Sequence, residues 1–445
     1  MSRWTGERVA QVLGVASGPP CQFSGIGTDT RTLAAGALFV ALVGERFDGH
    51  RFLDAALAAG ATGAVVRHGT RVPDGLVGFA VDDTLAALGA LAGERRRGVT
   101  GPVVAVTGTN GKTATKEMLA RVVGVRWPVH ATGGNLNNLV GVPLTILAAP
   151  DTAEALVVEA GASVPGEVAR LRDIIEPSIG VVTNVAAGHL EGFGSVAGVL
   201  AEKVSLLEGV PTAVVGTTPS ELAREARRVA RRVVVAGTAP EADIVPANWD
   251  LDAEGRARVR FREAEVRLPL IGRHQVDNAM VALAVAVELG IDLERAARAL
   301  ETLALPSGRC EVIRRGALTV INDAYNANPD SVRAALETAA ALRGPRALAV
   351  VLGTMLELGK DSAALHEQVA AAVVRQRPTL VGVTGAFVAG FDRWAAELGD
   401  RLIVAEDPAT LGRRVADRLS GDEVVLVKAS RGVRLEQAIP FIIPG

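Results

Sequence analysis

The chain has 445 residues, which is enough for two or three domains that each bury a core of their own. Its formal net charge of −2 and its pI of about 6.4 argue against a nucleic-acid-binding protein, because they provide no broad basic surface. The N-terminus lacks the apolar core of a signal peptide, and no apolar run approaches the roughly 18 residues that span a bilayer. The two cysteines, Cys21 and Cys310, have no metal-site or disulfide spacing. We therefore expect a cytoplasmic protein that is not bound to a membrane or to nucleic acid.

The first region of the chain is predicted to be a small α/β domain. Short apolar runs at 37–43 and 63–66 alternate with a helical pattern at 52–59, and this alternation continues to about residue 92. The charged stretch 94–102 contains glycines and is predicted to be a linker.

The central region shows the alternation of strands and helices that is typical of a mainly parallel sheet. A helix is predicted over residues 275–289, and the break at 306–308 marks a second boundary. The predicted strands of this region are 103–107, 155–159, 179–183 and 233–236.

The last region repeats the pattern, so a doubly wound, Rossmann-like sheet is predicted. Its predicted strands are 318–322, 347–352, 380–383 and 424–427. The fold class is therefore α/β, with a small N-terminal domain (1–97), a central ATPase-like domain with a phosphate loop (98–306) and a C-terminal domain (307–445).

Lysine is rare in this chain, with five residues that leave 42 of the 47 basic side chains as arginine. Codon bias is the ordinary explanation for this shortage of lysine. Because arginine serves at most other basic positions, each remaining lysine is a stronger candidate than usual for chemistry that needs a compact ammonium or a free amine.

The strongest local motif follows the predicted strand 103–107 and precedes a helical pattern at 114–123. Its glycines allow backbone amides to face an anion, Lys112 can reach the β and γ phosphates, and the Thr113 hydroxyl can hold Mg²⁺. A plain glycine-rich turn is the alternative, and Val106 stands where the general pattern has glycine. The candidate ATP-binding residues here are Thr107, Gly108, Thr109, Asn110, Gly111, Lys112 and Thr113.

Glu159 ends one predicted strand and His189 follows another, at the strand ends where open α/β sheets bind ligands. A carboxylate and an imidazole beside a triphosphate can coordinate a divalent ion. A structural histidine is the alternative for His189. For Lys203, on a predicted helix 196–207, the alternative is an ordinary solvated side chain.

The loop Thr-Gly-Thr-Asn-Gly-Lys-Thr at 107–113 resembles that of the Mur ligases and the folylpolyglutamate synthases, which use ATP to activate a carboxylate. The stretch 184–207, with HLEGFGSVAG and then Glu-Lys, resembles the Mur ligase pattern whose lysine is carbamoylated. This resemblance implies that Glu159, His189, Thr113 and a Lys203 carbamate are Mg²⁺ ligands, and that Lys112, Lys203, His189 and Glu159 serve catalysis.

The resemblance covers nearly the whole chain and implies a substrate site in the first two regions. Segments 28–31, 36–42 and 47–50 resemble a domain that binds a UDP-sugar, with an ordinary turn and strand as the alternative. Segment 134–145 resembles a loop that binds the muramoyl peptide. The residues implied are Thr28, Asp29, Arg31, Phe47, Asp48, Asn135, Asn137 and Asn138.

The third region resembles the family members that add D-alanyl-D-alanine, because their tripeptide-forming relative carries a histidine in the asparagine-rich run 322–331. The resemblance implies Asn278, Arg309 and Asp323 as ATP contacts. It implies Tyr325, Asn326, Asn328, Lys428, Ser430 and Arg431 as substrate contacts. Gln275, Thr354 and Ala429 depart from the family pattern. A turn with Asp330 as a helix cap is the alternative for this run.

The implied function is ATP-dependent joining of D-alanyl-D-alanine to a UDP-N-acetylmuramoyl-tripeptide through an acyl phosphate, with ATP and Mg²⁺ as cofactors, by a monomeric enzyme of peptidoglycan precursor synthesis. The rivals are a tripeptide-forming Mur ligase, a folylpolyglutamate-type ligase, or a non-catalytic ATP-binding module.

Overall fold

The computed structural model describes residues 4–16, 20–44 and 47–443. The strands are β1 (Trp4–Thr5), β2 (Gln22–Phe23), β3 (Ile26–Gly27), β4 (Leu38–Val40), β5 (Gly63–Arg67), β6 (Val77–Val81), β7 (Val103–Thr107), β8 (Val129–Ala131), β9 (Ala155–Glu159), β10 (Ile179–Val182), β11 (Thr212–Val215), β12 (Arg232–Val235), β13 (Asn248–Leu251), β14 (Arg256–Phe261), β15 (Ala264–Ile271), β16 (Glu311–Arg315), β17 (Leu318–Asp323), β18 (Leu348–Leu352), β19 (Leu380–Val383), β20 (Leu402–Val404) and β21 (Val424–Lys428). The helices are α1 (Gly6–Leu13), α2 (Leu53–Ala58), α3 (Thr84–Arg97), α4 (Lys112–Val123), α5 (Gly141–Leu147), α6 (Glu167–Ile175), α7 (Leu190–Phe193), α8 (Val196–Val204), α9 (Glu221–Val229), α10 (His274–Glu288), α11 (Leu293–Leu300), α12 (Pro329–Arg343), α13 (Ser362–Arg375), α14 (Phe387–Gly390), α15 (Ala395–Leu398), α16 (Pro408–Ala416) and α17 (Ile439–Ile442).

The chain divides into two compact units. The first comprises residues 1–105, 127–162 and 167–178, and the second comprises residues 106–126, 163–166 and 179–445. The domain boundaries expected at 97/98 and 306/307 stay a prediction.

The first unit contains a parallel sheet in the order β3-β4-β5-β6. All three residues of β4 are buried, as expected for a parallel strand covered on both faces. Phe23 and Phe79 pack edge to face in its core, with ring centroids 5.9 Å apart. In the same unit β8 pairs in parallel with β9, and the first residues of β7 lie beside β9.

The predicted linker 94–102 is wrong for its first four residues, because α3 continues to Arg97. Arg95 is only 3% exposed and donates to the carbonyl oxygens of Ala149 and Pro150, at 2.6 and 3.0 Å. Basic side chains in a last helical turn also interact favourably with the helix dipole. The charged run therefore closes a helix instead of forming a solvated connection.

The second unit contains a sheet in the order β12-β11-β10, with the last residues of β7 beside β10, and β10, β11 and β12 are parallel. It also contains an antiparallel sheet, β13-β14-β15, which the sequence analysis missed. Burial alternates along β14, with the apolar residues inside and Arg256, Arg258 and Arg260 outside. This strand alternates with a period of two and contains no continuous apolar run of the kind that predicts a buried parallel strand.

The third sheet also lies in the second unit and has the order β16-β17-β21-β18-β19-β20. Only β16 is antiparallel to its neighbour, so the doubly wound prediction is confirmed. Strands β18 and β21 are buried at every position. The register between β17 and β21 places Asp323 opposite Lys428 at the carboxyl edge, where such sheets bind ligands. In the described part of the chain, no helix is long and apolar enough to cross a membrane.

Candidate active site

The phosphate loop connects β7 to α4 through two glycines with left-handed backbone angles. Gly108 has φ +145° and Gly111 has φ +77°. A Cβ atom on Gly108 would lie 2.0 Å from Oγ1 of Thr183, and one on Gly111 would lie 2.5 Å from Oδ1 of Asn278. Both positions therefore need glycine, because it adopts positive φ angles without strain and because it has no Cβ atom to collide with the neighbouring side chains.

The residues that follow β10 hold this loop in place. The Thr109 amide donates to the carbonyl oxygen of Asn184 (2.9 Å), and the Asn110 amide donates to Oδ1 of the same asparagine (2.9 Å). The Asn110 carbonyl accepts from Nδ2 of Asn184 (3.0 Å) and from Oγ1 of Thr183 (2.6 Å). The sequence analysis gave Thr183 no role, although its place at the end of a buried strand was visible.

The loop has the features of an anion cradle. Among the described residues, no side-chain hydrogen bond caps the N-terminus of α4, and the positive end of this helix dipole lies at the loop. Nζ of Lys112 donates to the carbonyl oxygens of Gly108 (2.8 Å) and Thr109 (3.0 Å), so the ammonium is held over the loop. The buried hydroxyl of Thr107 has no hydrogen-bond partner among the described residues, and Thr113 is 3% exposed. These residues fit a nucleotide phosphate group.

Glu159 ends β9 in the first unit and is 2% exposed. Its Oε1 accepts from Nδ2 of Asn137 at 2.9 Å, and its backbone amide donates to Oγ1 of Thr132 at 2.9 Å. A buried carboxylate that is oriented by an amide is a suitable oxygen ligand for Mg²⁺. Asn137, expected at the substrate, is thus placed against a predicted metal ligand.

His189 immediately precedes α7 in the second unit, in a left-handed conformation with φ +53°. Its Nδ1 lies 2.6 Å from Oε2 of Glu357. A hydrogen bond from His189 lowers the pKa of Glu357 below its ordinary value, against the opposing effect of burial. With Nδ1 beside a carboxylate, Nε2 is the ring nitrogen that remains for a ligand.

Lys203 on α8 is 1% exposed, so the alternative of an ordinary solvated lysine is wrong. Its ammonium lies 5.4 Å from the ring centroid of Phe193, and the preceding Glu202 accepts the amide of Gly166 at 2.8 Å. Among the described residues, no three His, Cys, Asp or Glu side chains cluster as a metal site. The predicted ligand set contains only two such side chains, and its role as a metal site stays a prediction.

Asn278 lies against the phosphate loop on the first turns of α10 and is 5% exposed. Its Nδ2 donates to Oε1 of Gln275 at 3.0 Å, and Nε2 of Gln275 lies 3.0 Å from Nε2 of His274. Burial lowers the pKa of His274, which favours the neutral ring. Gln275, which departs from the family pattern, therefore orients Asn278.

Asp323 and Lys428 meet at the ends of β17 and β21. Nζ of Lys428 forms an ion pair with Oδ2 of Asp323 and donates to the carbonyl oxygen of Asn326 at 3.0 Å. Oδ1 of Asp323 accepts the amide of Cys310 at 3.1 Å. Lys428 is 2% exposed, so a predicted nucleotide contact and a predicted acceptor contact form one buried pair.

Tyr325 contacts two of the predicted arginines. The guanidinium carbon of Arg309 lies 3.9 Å from the ring centroid, and that of Arg431 lies 5.8 Å from it. Nε of Arg309 is buried without a hydrogen-bond partner in the described part of the chain. Ser430 donates its hydroxyl to the Ala327 carbonyl at 3.2 Å, so it connects two predicted substrate segments.

Asn328, not Asp330, caps α12. Its Oδ1 accepts the amide of Ser331 at 2.9 Å, while the Ser331 hydroxyl accepts the Asn328 amide at 3.0 Å. Pro329 occupies the first helical turn, where it costs no hydrogen bond, so the cap lies two residues earlier than predicted. Asn328 also exchanges amide hydrogen bonds with Asn110, at 2.7 and 3.3 Å.

In the first unit, Asp29 and Arg31 form a bidentate pair, with Oδ1 to Nε at 2.9 Å and Oδ2 to Nη2 at 2.6 Å. The side-chain and backbone hydrogen bonds from Arg31 lower the pKa of Asp29 to about 2. Thr28 directly precedes this pair and is half-buried. Because Arg31 remains largely exposed, the pair is accessible to a ligand.

The neighbouring segment depends on His50, which the sequence analysis did not select. Its Nδ1 lies 2.6 Å from Oδ1 of Asp48, and its Nε2 accepts the Arg67 amide at 3.0 Å. Phe47 beside it is 58% exposed.

Only part of the asparagine-rich segment near residue 135 is left for a substrate. Oδ1 of Asn138 accepts the amides of Val140 (3.1 Å) and Gly141 (2.8 Å) in the turn that leads into α5. The backbone carbonyl of Asn135 accepts the Asn137 amide at 2.8 Å. The Asn138 amide oxygen thus supports a turn.

Three family profiles match successive parts of the chain. Residues 22–96 match the Mur ligase family catalytic domain, residues 106–286 match the Mur ligase middle domain, and residues 308–431 match the Mur ligase glutamate ligase domain.

The chain belongs to the Mur ligase family, as its motifs predicted. It is 35% identical to the UDP-N-acetylmuramoyl-tripeptide--D-alanyl-D-alanine ligase of Bacillus subtilis (strain 168), over 94% of this chain and 93% of that one. Its structure is similar to a crystal structure of MurF from Acinetobacter baumannii, with a TM-score of 0.89, 28% identity and 99% coverage of both chains. It is also similar to the MurF ligase of Thermotoga maritima in complex with ADP, with a TM-score of 0.82, 30% identity and coverage of 94% and 96%. The predicted fold class is confirmed.

Proposed function

We propose that this protein uses ATP to join D-alanyl-D-alanine to a UDP-N-acetylmuramoyl-tripeptide, releasing ADP and phosphate. The observation that carries the proposal is the phosphate loop in direct contact with the asparagine-rich run, through Asn110 and Asn328. That run resembles the D-alanyl-D-alanine-adding ligases, and the relatives that bear this name are similar over most of the chain.

The loop binds and orients the triphosphate in this proposal. Lys112 and the positive end of the α4 dipole stabilise the negative charge that moves during phosphoryl transfer. The terminal carboxylate of the tripeptide attacks the γ-phosphorus and ADP leaves, which creates an acyl phosphate. The dipeptide amine then attacks the acyl carbon, loses a proton, and phosphate leaves as the amide bond forms.

The side chains around the loop set the remaining geometry. Gln275 holds Asn278 for the base, and Arg309, stacked on Tyr325, offers a buried Nε to a phosphate oxygen. Asp323, which is ion-paired with Lys428, is the hydrogen-bond acceptor for the ribose in this proposal. We assign the UDP-sugar to the face of the first unit that carries Asp29, Arg31 and Phe47.

The buried carboxylate of Glu159, Nε2 of His189 and the hydroxyl of Thr113 are donors that fit Mg²⁺. Bound Mg²⁺ would supply charge neutralisation for the transferring phosphoryl group. We propose that Lys203 is carbamoylated, as the family resemblance implies. Its deep burial requires a partner for its charge, and bound Mg²⁺ would be such a partner for the carbamate. Asn137 and Glu357 orient Glu159 and His189, respectively.

Purified protein should form ADP and ligated product from ATP, Mg²⁺, UDP-N-acetylmuramoyl-tripeptide and D-alanyl-D-alanine. Lys112→Ala should abolish turnover, whereas Lys360→Ala, at an exposed lysine, should leave it unchanged. Single D- and L-amino acids and glutamate serve as parallel acceptors. Product with a single amino acid alone would assign the chain to a sibling ligase, and ATP binding without turnover would make it a non-catalytic module.

A further inference from the structure

Asn328 lies in the run that the family resemblance places at the acceptor substrate, yet its side chain already forms three hydrogen bonds within the protein. It is 7% exposed. Its Oδ1 accepts from the Ser331 amide at 2.9 Å and from Nδ2 of Asn110 at 3.3 Å, and its Nδ2 donates to Oδ1 of Asn110 at 2.7 Å. Both acceptor interactions and one donor of the amide group are therefore used.

Asn110 is equally fixed on its other side. Its amide donates to Asn184 Oδ1 at 2.9 Å, and its carbonyl accepts from Asn184 Nδ2 and Thr183 Oγ1. The backbone of Asn110 is thus bound to the segment after β10, whereas its side chain extends toward the N-terminus of α12. The two asparagines are 218 residues apart in the chain.

The chain passes very close to this pair at Gly188, just before His189. A Cβ atom there would lie 2.7 Å from Cγ2 of Thr109 and 3.6 Å from Nδ2 of Asn328. The absence of a side chain at Gly188 lets the loop, the α12 cap and the His189 segment approach each other.

We infer that Asn328 is a positioning residue, which sets the phosphate loop through Asn110 and does not contact the acceptor dipeptide. Docking of the α12 cap onto the loop is thereby linked to the geometry of the triphosphate. A pair of buried amide hydrogen bonds is strong enough for this role, because an unmade one leaves a buried polar group without a partner. The inference rests on the proposed ligase function, and it adds a specific role for two residues.

The test separates the amide pair from the helix cap. Asn328→Ser keeps a good N-cap but cannot reach Asn110, and Asn110→Ala removes the partner without touching the cap. Each variant should lower kcat by about 10- to 100-fold, with the KM for D-alanyl-D-alanine unchanged. The double variant should be no slower than the slower single variant, because both changes remove one interaction. The control is Asn248→Ser, at an exposed residue on β13.

The inference would be overturned if the losses of kcat in the two single variants multiplied in the double variant. It would also be overturned if Asn328→Ser alone raised the KM for the dipeptide, which would return Asn328 to the substrate site. Amide hydrogen exchange gives a second readout that does not need activity. Exchange of residues 108–113 should rise in Asn328→Ser and not in Asn248→Ser, and equal exchange in both would also overturn the inference. If the wild-type protein forms no product with any acceptor, the ligase proposal fails, and the exchange result still decides whether Asn328 positions the loop.

Discussion

Replacing Gly111 with alanine tests how closely the phosphate loop packs against α10. The left-handed angle of Gly111, φ +77°, costs an alanine about 1–2 kcal/mol. The new Cβ would also lie 2.5 Å from Oδ1 of Asn278, so that side chain must move. Movement breaks its buried hydrogen bond to Gln275, which adds about 1–3 kcal/mol. The total loss expected is about 2–5 kcal/mol of unfolding free energy.

A matched control is Gly209→Ala in the same unit. Gly209 has φ +72°, and a Cβ atom there would meet nothing within 4 Å, so only the backbone cost of about 1–2 kcal/mol applies. Urea unfolding of both variants measures the difference, and calorimetric titration with ADP measures the effect on the nucleotide site. Gly111→Ala should be the less stable variant and should bind ADP more weakly. Equal stability of the two variants, with unchanged ADP affinity, would refute the packing argument.

Three further outcomes are expected. Lys203→Ala should lower turnover by about 10- to 100-fold. Formate or acetate should restore part of the turnover, because either anion can replace the carboxylate of the lost carbamate. The same increase in the wild-type protein would contradict a carbamate. Asn137→Ala removes the amide that orients Glu159, so the Mg²⁺ concentration for half-maximal activity should rise about tenfold, whereas an unchanged Mg²⁺ dependence would separate this contact from the metal. The Asp29 carboxylate, with a pKa near 2, stabilises the fold fully above its ordinary pKa of 3.8 and loses this contribution as the pH falls through about 2. In Arg31→Ala, NMR titration of that carboxyl should show a pKa that rises toward 3.8 but stays below it, because the backbone amide of residue 31 still donates to Asp29. An unmoved value would show that the Arg31 side chain is not the main cause.

The fold and the phosphate loop were largely predictable because both depend on residues that are neighbours in sequence. Buried apolar runs predicted β7, β9, β19 and most of the third sheet to within a residue or two. The prediction failed where local composition was ambiguous. The charged residues 94–97 continue α3, and the alternating β14 has no continuous apolar run.

The individual roles within the site were less predictable. Asp330 has a good capping side chain, yet Pro329 places the helix start so that Asn328 is the cap. Lys203 could be read as a solvated residue until its burial was known. His50 lies in segment 47–50, which resembles part of a UDP-sugar-binding domain, but no role of its own was predicted because that role depends on the Arg67 amide, which reaches it from a neighbouring strand.

By itself, the sequence determined the α/β class, the glycines and lysine of the phosphate loop, and the family. The class and the loop follow from short-range rules, such as strand burial and the backbone angles that glycine allows, and the family follows from the resemblance of short motifs. Only the tertiary structure decided which polar groups meet. Asn110 joins Asn328 across 218 residues and Asp323 joins Lys428 across 105. Hydrogen bonds between such distant residues depend on how the sheets and helices pack, and no local propensity encodes that packing.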